Sequence, residues 1–180
     1  MNTRALAKLS HRVDVLAQRL LTHWLLVANV LNGATVAGAA LTPLVRAAGW
    51  TPLATLLYLA YRPMCPQRPS HSFFIAGYKM AFEQRETAIF LGLTLGGALF
   101  ALLRRWPQPC AWRWLVLGSV PMLVDVFSQT IGLRGSDWRW RGATGLLFGL
   151  AVVWWAYPYL ERDLAPDGRQ RTREVERLAA

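Results

Sequence analysis

An acid, a hydroxyl and an amide stand within about one helical turn at Asp125, Ser128 and Gln129, near the end of a segment otherwise apolar enough for a bilayer. An ionised carboxylate costs about 2.5–3.5 kcal/mol at mid-membrane and less near the surface, so such a group has a partner or a job. Asp125 and Gln129 share one helical face. The short stretch after them supplies Arg134, Ser136, Asp137, Arg139, Arg141 and Thr144. Three readings fit. Asp125 accepts hydrogen bonds or an arginine pair from residues 134–141 and so holds the last two helices together, it serves a proton relay or polar substrate site, or it sits in solvent at the helix end.

A second polar signature precedes it: Cys65, Gln67, Pro69, His71, Ser72, Phe73, Phe74 and Gly77. Cys65 and His71 are metal-ligand types, with Glu83 and Glu86 as more remote oxygen donors. A structural zinc site takes four Cys or His ligands at tighter spacing, so this set falls short of one and the sequence implies no cofactor. The expected structure is a loop stiffened by Pro63, Pro66 and Pro69 and pinned by Phe73 and Phe74 in the apolar layer. No Ser-His-Asp order, phosphate-cradling glycine loop or H-E-x-x-H helix occurs, so catalysis of those kinds has no support.

The elements that must position these groups are membrane helices. The 180 residues are 54% hydrophobic, with nine Trp and a mean hydropathy of +0.24. Several apolar runs exceed what a soluble core helix needs, which points to an all-α integral membrane bundle. The net charge of +10 would suggest nucleic acid if it formed one stripe. Instead the basic residues punctuate the ends of the apolar runs, where a membrane protein meets anionic headgroups. The expected partners are the lipid bilayer, its headgroups, and other membrane subunits or a second copy of the chain.

Four spans are expected, at residues 22–45, 87–103, 112–133 and 143–160. The first pairs Gly33 with Ala37, the second carries Gly92 and Gly96, and the fourth places Gly145 and Gly149 in G-x-x-x-G spacing; small residues of this kind let another helix approach closely. Pro121 kinks the third. Residues 50–61 are too short to span comfortably and read as an interfacial or re-entrant helix, a complete fifth span being the alternative. Residues 1–21 show one apolar helical face, either lying on the headgroups or forming an arm against a neighbouring subunit. The apolar run from residue 22 could pass for a signal-peptide core, but its long amphipathic lead favours a retained helix. Residues 161–180 read as a polar tail. Four spans put both termini and the Arg104 loop on the more basic face, which favours termini in the cytoplasm. They also put Cys65 and Cys110 on opposite faces, against a disulfide, and the Cys65 and Arg134 loops on the same face.

Together these signatures resemble a bacterial family of small multi-pass membrane proteins, domain of unknown function 2085. The likeness runs from about residue 53 to 150. Cys65, Gln67, Pro69, Ser72, Phe73, Phe74 and Gly77 agree with one family segment, and Pro121, Asp125, Gln129, Gly132, Arg134, Ser136, Arg141, Thr144 and Gly145 with another. The departures bear on chemistry. Pro66 and Tyr78 replace family histidines, and Glu83-Gln84-Arg85-Glu86 stands where the family has Cys-x-Arg-Cys. The resemblance therefore implies the fold and the polar packing, and not thiol or metal chemistry. The resulting expectation is a non-catalytic scaffold or accessory component of a bacterial inner-membrane assembly. The alternatives are a small transporter or proton-coupled protein using Asp125, Gln129 and Arg134, and a metal or redox module at Cys65 and His71.

Overall fold

A computed structural model describes residues 21–103, 111–133, 135 and 137–164. The amphipathic stretch 1–20, the Arg104 loop with Cys110, Arg134, Ser136 and the tail from 165 lie outside the described residues.

Each long apolar run becomes a helix, because in hydrocarbon every backbone group must be satisfied within its own segment. α1 is Trp24–Ala47, α2 is Thr51–Tyr61, α3 is Gln84–Leu103, α4 is Trp112–Thr130 and α5 is Trp138–Leu164. Three of them, α1, α3 and α5, are long and apolar enough to cross a membrane, with mean hydropathies of 1.5, 1.8 and 1.4. α2 has 11 residues, about 16 Å of helix, which is half a bilayer core. It folds back along α1, where the Tyr61 hydroxyl donates to the Thr35 carbonyl at 2.9 Å.

α3 lies in the middle. α1 runs antiparallel to it, with Asn29 against Gly97 and Gly33 against Thr94. α5 runs parallel to it, since Ala88, Gly92 and Gly96 meet Gly145, Gly149 and Val153 in the same order. Two parallel neighbours require the chain to return across the same thickness between them, and α4 is that return. Its 19 residues extend about 28 Å and pack on the outer side of α5, where Gly118 meets Ala151. α4 falls outside the hydropathy group because it carries the polar side chains of the site, Asp125 and Gln129 among them.

Between α2 and α3 the chain forms an antiparallel hairpin, β1 Ser72–Ile75 and β2 Tyr78–Glu83, with Phe74 opposite Lys79 and a bulge toward Ser72 opposite Glu83. The stretch carrying Pro63, Pro66 and Pro69 is a loop ending in a 3₁₀ turn, and the hairpin replaces the expected loop only from Ser72 onward. The two-residue turn needs positive φ at both positions: Gly77, at 80°, adopts it freely, and Ala76, at 50°, is strained there. The phenylalanines do not pin the hairpin as a pair. Phe73 packs edge-on against Trp138, whereas Phe74 is exposed. What holds the hairpin is α1 and the loop behind it: Arg46 lies over the Tyr78 ring, and Ala39, Cys65, Ala81 and Phe82 form one buried cluster.

A second cluster, Trp24, Leu25, Phe100, Val153 and Tyr157, closes the opposite end, where Trp24 Nε1 donates to Glu161. The start of α1 and the ends of α3 and α5 therefore share one face. The hairpin, the end of α4 and the start of α5 share the other. Between them the perimeter is apolar: Val30, Leu41, Leu95, Leu102, Leu117, Val124 and Phe127 are all exposed. A surface of this kind suits lipid. Exposed Trp50, Trp138 and Trp140 on one side, and Trp112 and Trp114 on the other, mark the two interfaces.

The small residues do not all serve as expected. Gly92, Gly96, Gly145 and Gly149 form the α3–α5 seam, but Gly33 makes only ordinary contact with Thr94, and Ala37 is exposed. The tight positions of α1 are instead Gly38, filled by the Tyr61 hydroxyl, and Ala39 in the buried cluster.

Candidate functional site

The polar residues converge at the hairpin face. α4 ends there in a Schellman motif, with Gly132 N–H bonded to the Gln129 carbonyl at 3.3 Å and Leu133 N–H to Ser128 at 2.9 Å. Gly132 has φ 75°, the left-handed conformation this ending requires. The stop fixes Asp125 and Gln129 on the last full turns, facing α3 and α5.

Asp125 is 4% exposed and both of its oxygens are engaged. Arg85 Nη2, from the first turn of α3, donates to Oδ2 at 2.6 Å, and Gln129 Nε2 donates to Oδ1 at 2.7 Å. The Gln129 carbonyl oxygen then accepts from Arg141 of α5, at 3.0 Å from Nε and 2.6 Å from Nη2. One continuous chain of side chains thus joins α3, α4 and α5. Among the described residues the ion pair of Asp125 comes from Arg85 and not from Arg141, which reaches the amide instead. Arg134 and Ser136 lie outside the described residues, so their part in the cluster has no structural counterpart here. Ser128 and Thr144 bond to carbonyls of their own helices, at 3.0 Å to Asp125 and 2.7 Å to Trp140.

Beside this chain lies the second signature. Glu83 Oε1 accepts the Arg68 N–H at 2.8 Å, and Oε2 lies 3.4 Å from His71 Nδ1. The Glu83 N–H in turn points to Cys65 Sγ at 3.3 Å. Cys65 is fully buried, and burial pushes its thiol above the ordinary range, so it stays protonated and unreactive. Gln67 donates from Nε2 to the Tyr58 carbonyl and accepts Lys79 Nζ on its own carbonyl, at 2.7 and 2.6 Å, so it ties α2 to the hairpin. Ser72 bonds back to the Arg68 carbonyl, and Pro69 opens a single 3₁₀ turn that carries His71 to Glu83. Among the described residues, no three His, Cys, Asp or Glu side chains gather closely enough to hold a metal ion. Glu83 and Glu86, where the family pattern has cysteines, are oxygen donors on the rim of a polar pocket.

His71 titrates below its ordinary value of 6.5, chiefly because it is partly buried and also because Arg141 and Arg68 repel a proton; nearby Glu83 offsets only part of this. The unfolded chain then binds more protons than the folded one in the interval below 6.5. The stability contribution is complete above that value and is lost as pH falls through it toward the folded value. Thermal unfolding of wild type should therefore show a loss as pH falls below 6.5 that is smaller in His71→Gln; equal loss in both proteins would contradict this.

Two residues of the site escaped the sequence reading, Arg85 and Arg68. Arg85 had a visible signal: it is an isolated cation on the first turn of an apolar helix, and it keeps the arginine of the family's Cys-x-Arg-Cys segment. Arg68 has no such mark and becomes visible only when the loop is folded over Glu83.

The family model described as "Predicted membrane protein (DUF2085)" matches residues 65–155, which include every described member of both signatures. The uncharacterized protein MJ1492 of Methanocaldococcus jannaschii is 35% identical over 112 residues, covering 61% of this chain and 71% of that protein. No solved structure matches the chain.

Proposed function

This chain belongs to the DUF2085 family of predicted membrane proteins, and from that premise we propose that it acts as a non-catalytic accessory component of a larger membrane assembly. The observation that carries this reading is the saturation of Asp125. Both carboxylate oxygens are held, one by Arg85 and one by Gln129, so the acid most suited to proton or solute chemistry is committed to fastening three helices. The outer face of α4 supports the same reading. It carries an apolar hollow of about 590 Å³ formed by Leu123, Val124, Phe127 and Leu133, of the size a side chain from a partner helix would enter.

The proposed location is the cytoplasmic membrane, with the termini in the cytoplasm. The start of α1, the ends of α3 and α5 and the start of α4 share one face, and the sequence stretches leaving that face are rich in arginine. Affinity capture from native membranes in mild detergent should retrieve one or more polytopic proteins in stoichiometric amount, and a fluorescent protein fused at the C-terminus should fluoresce. Recovery as a free monomer overturns the accessory role, and a dark fusion with an active periplasmic reporter overturns the orientation.

A second reading, proton-coupled transport, draws on a different acid from the one the sequence suggested. Glu86 lines the polar pocket, and its Oε2 is buried without a hydrogen-bond partner among the described residues. If protons move here, Glu86→Gln abolishes flux in proteoliposomes; unchanged flux, or none in wild type, removes this reading.

A further inference from the structure

The pocket beside the Asp125 chain encloses about 400 Å³ and is lined by Arg68, His71, Arg85, Glu86, Gln129 and Arg141, among others. That volume lies within the range of small-ligand sites. Its charges are unevenly matched. Asp125 directs both oxygens to Arg85 Nη2 and Gln129, and Glu83 directs its own to the Arg68 N–H and His71. Neither carboxylate neutralises Arg141 by direct contact: the residue is 3% exposed, and among the described residues its side-chain hydrogen bonds go to the neutral amide of Gln129. Among the described residues Arg85 Nε is buried with no hydrogen-bond partner, and so is Glu86 Oε2. Arg68 stands exposed at the rim, and its guanidinium makes no hydrogen bond or ion pair among the described residues. Buried donors on cations carry a desolvation cost that an amide oxygen offsets only in part.

The unmet groups define a ligand. Guanidinium groups match the oxygens of a phosphate, in pairs and in one plane. Glu86 Oε2, the unmet acceptor among the described residues that line the pocket, calls for a hydroxyl or ammonium donor on the same molecule. The pocket opens at the membrane face, at the level of the exposed Trp50, Trp138 and Trp140, where lipid phosphates lie. We propose that this pocket binds a phosphate group carrying a neighbouring hydrogen-bond donor, with Arg68, Arg85 and Arg141 on its oxygens and Glu86 on the donor. The same chemistry is offered by the headgroup of a phosphatidylethanolamine or phosphatidylglycerol and by free hydrogen phosphate.

The test uses the full chain purified in a non-ionic detergent and in nanodiscs. Inorganic phosphate is compared with chloride at equal ionic strength, and phosphatidylcholine nanodiscs are compared with ones containing phosphatidylethanolamine or phosphatidylglycerol. Occupancy should raise the unfolding midpoint by about 3–4 °C. Arg68→Gln, which lies outside the Asp125 chain and should leave the circular dichroism spectrum unchanged, should lose more than half of that shift, as should Glu86→Gln. A shift with lipid alone assigns the site to a headgroup, and a shift with phosphate alone assigns it to the free anion. No shift with either, or a shift that both variants retain in full, overturns the proposal.

Discussion

Asp125→Ala is expected to lower the unfolding free energy by about 3 kcal/mol, a large part of the stability of a small domain. The substitution removes the only carboxylate among the described residues in ion-pair contact with Arg85, whose side chain is mostly buried, and it frees the amide of Gln129 that orients the Arg141 bonds. Breaking one partner of a buried pair costs more than the pair is worth, because the remaining charge is left unmet. Asp125→Asn should cost less, since the amide still accepts from Arg85 through its oxygen, although the charge is gone. Steric-trap or denaturant unfolding in bicelles reads the difference. Variants as stable as wild type would mean that the three-helix connection contributes nothing.

The second large effect is expected at the α3–α5 seam. Gly149→Val should cost about 3 kcal/mol or prevent accumulation of the folded protein, because any Cβ at this position runs into the Ile89 carbonyl, and backbone cannot step aside. Gly92→Val should behave alike, since its Cβ would lie 2.6 Å from the Leu146 carbonyl. The control is Gly142→Ala on the same helix as Gly149, where nothing lies within 4 Å. Alanine there should be neutral or stabilising by up to about 1 kcal/mol through its better helix propensity. In lipid there is no hydrophobic drive between helices, so close backbone approach supplies much of what holds this parallel pair together. Equal behaviour of Gly149→Val and Gly142→Ala would show that the seam is not tightly packed.

The spanning helices were readable in the sequence because long apolar runs have few other fates, and the flanking tryptophans and arginines marked their ends. The sharing of one face by the Cys65 loop and the turn after α4 was expected from counting spans, and one pocket is lined by residues 66–71 of that loop together with the end of α4 and the start of α5. The hairpin was not readable. Its first strand has four residues, and its turn uses Ala76 where the usual signal is Asn or Gly, so the sequence looked like a proline-rich loop. The partner of Asp125 was hidden for a different reason. Arg85 is 40 residues away, and only the parallel packing of α3 and α5, with α4 laid against them, brings it to the carboxylate. The short interval between Asp125 and Arg141 pointed instead to a local pair, and the intervening amide of Gln129 takes that place. The α1 seam misled as well: Gly33 and Ala37 have the right spacing, but rotation of the helix puts Gly38 and Ala39 inward.

The central claim is that Asp125 serves to join helices, and a double-mutant cycle on Arg85 and Asp125 tests it most directly. Unfolding free energies of wild type, Arg85→Met, Asp125→Leu and the double variant, measured in one bicelle composition, give the coupling between the two side chains. The 2.6 Å contact predicts a coupling of about 2 kcal/mol, with the double variant more stable than the sum of the single losses allows. Additive losses, with coupling near zero, would contradict the account and return Asp125 to the list of groups free to do chemistry.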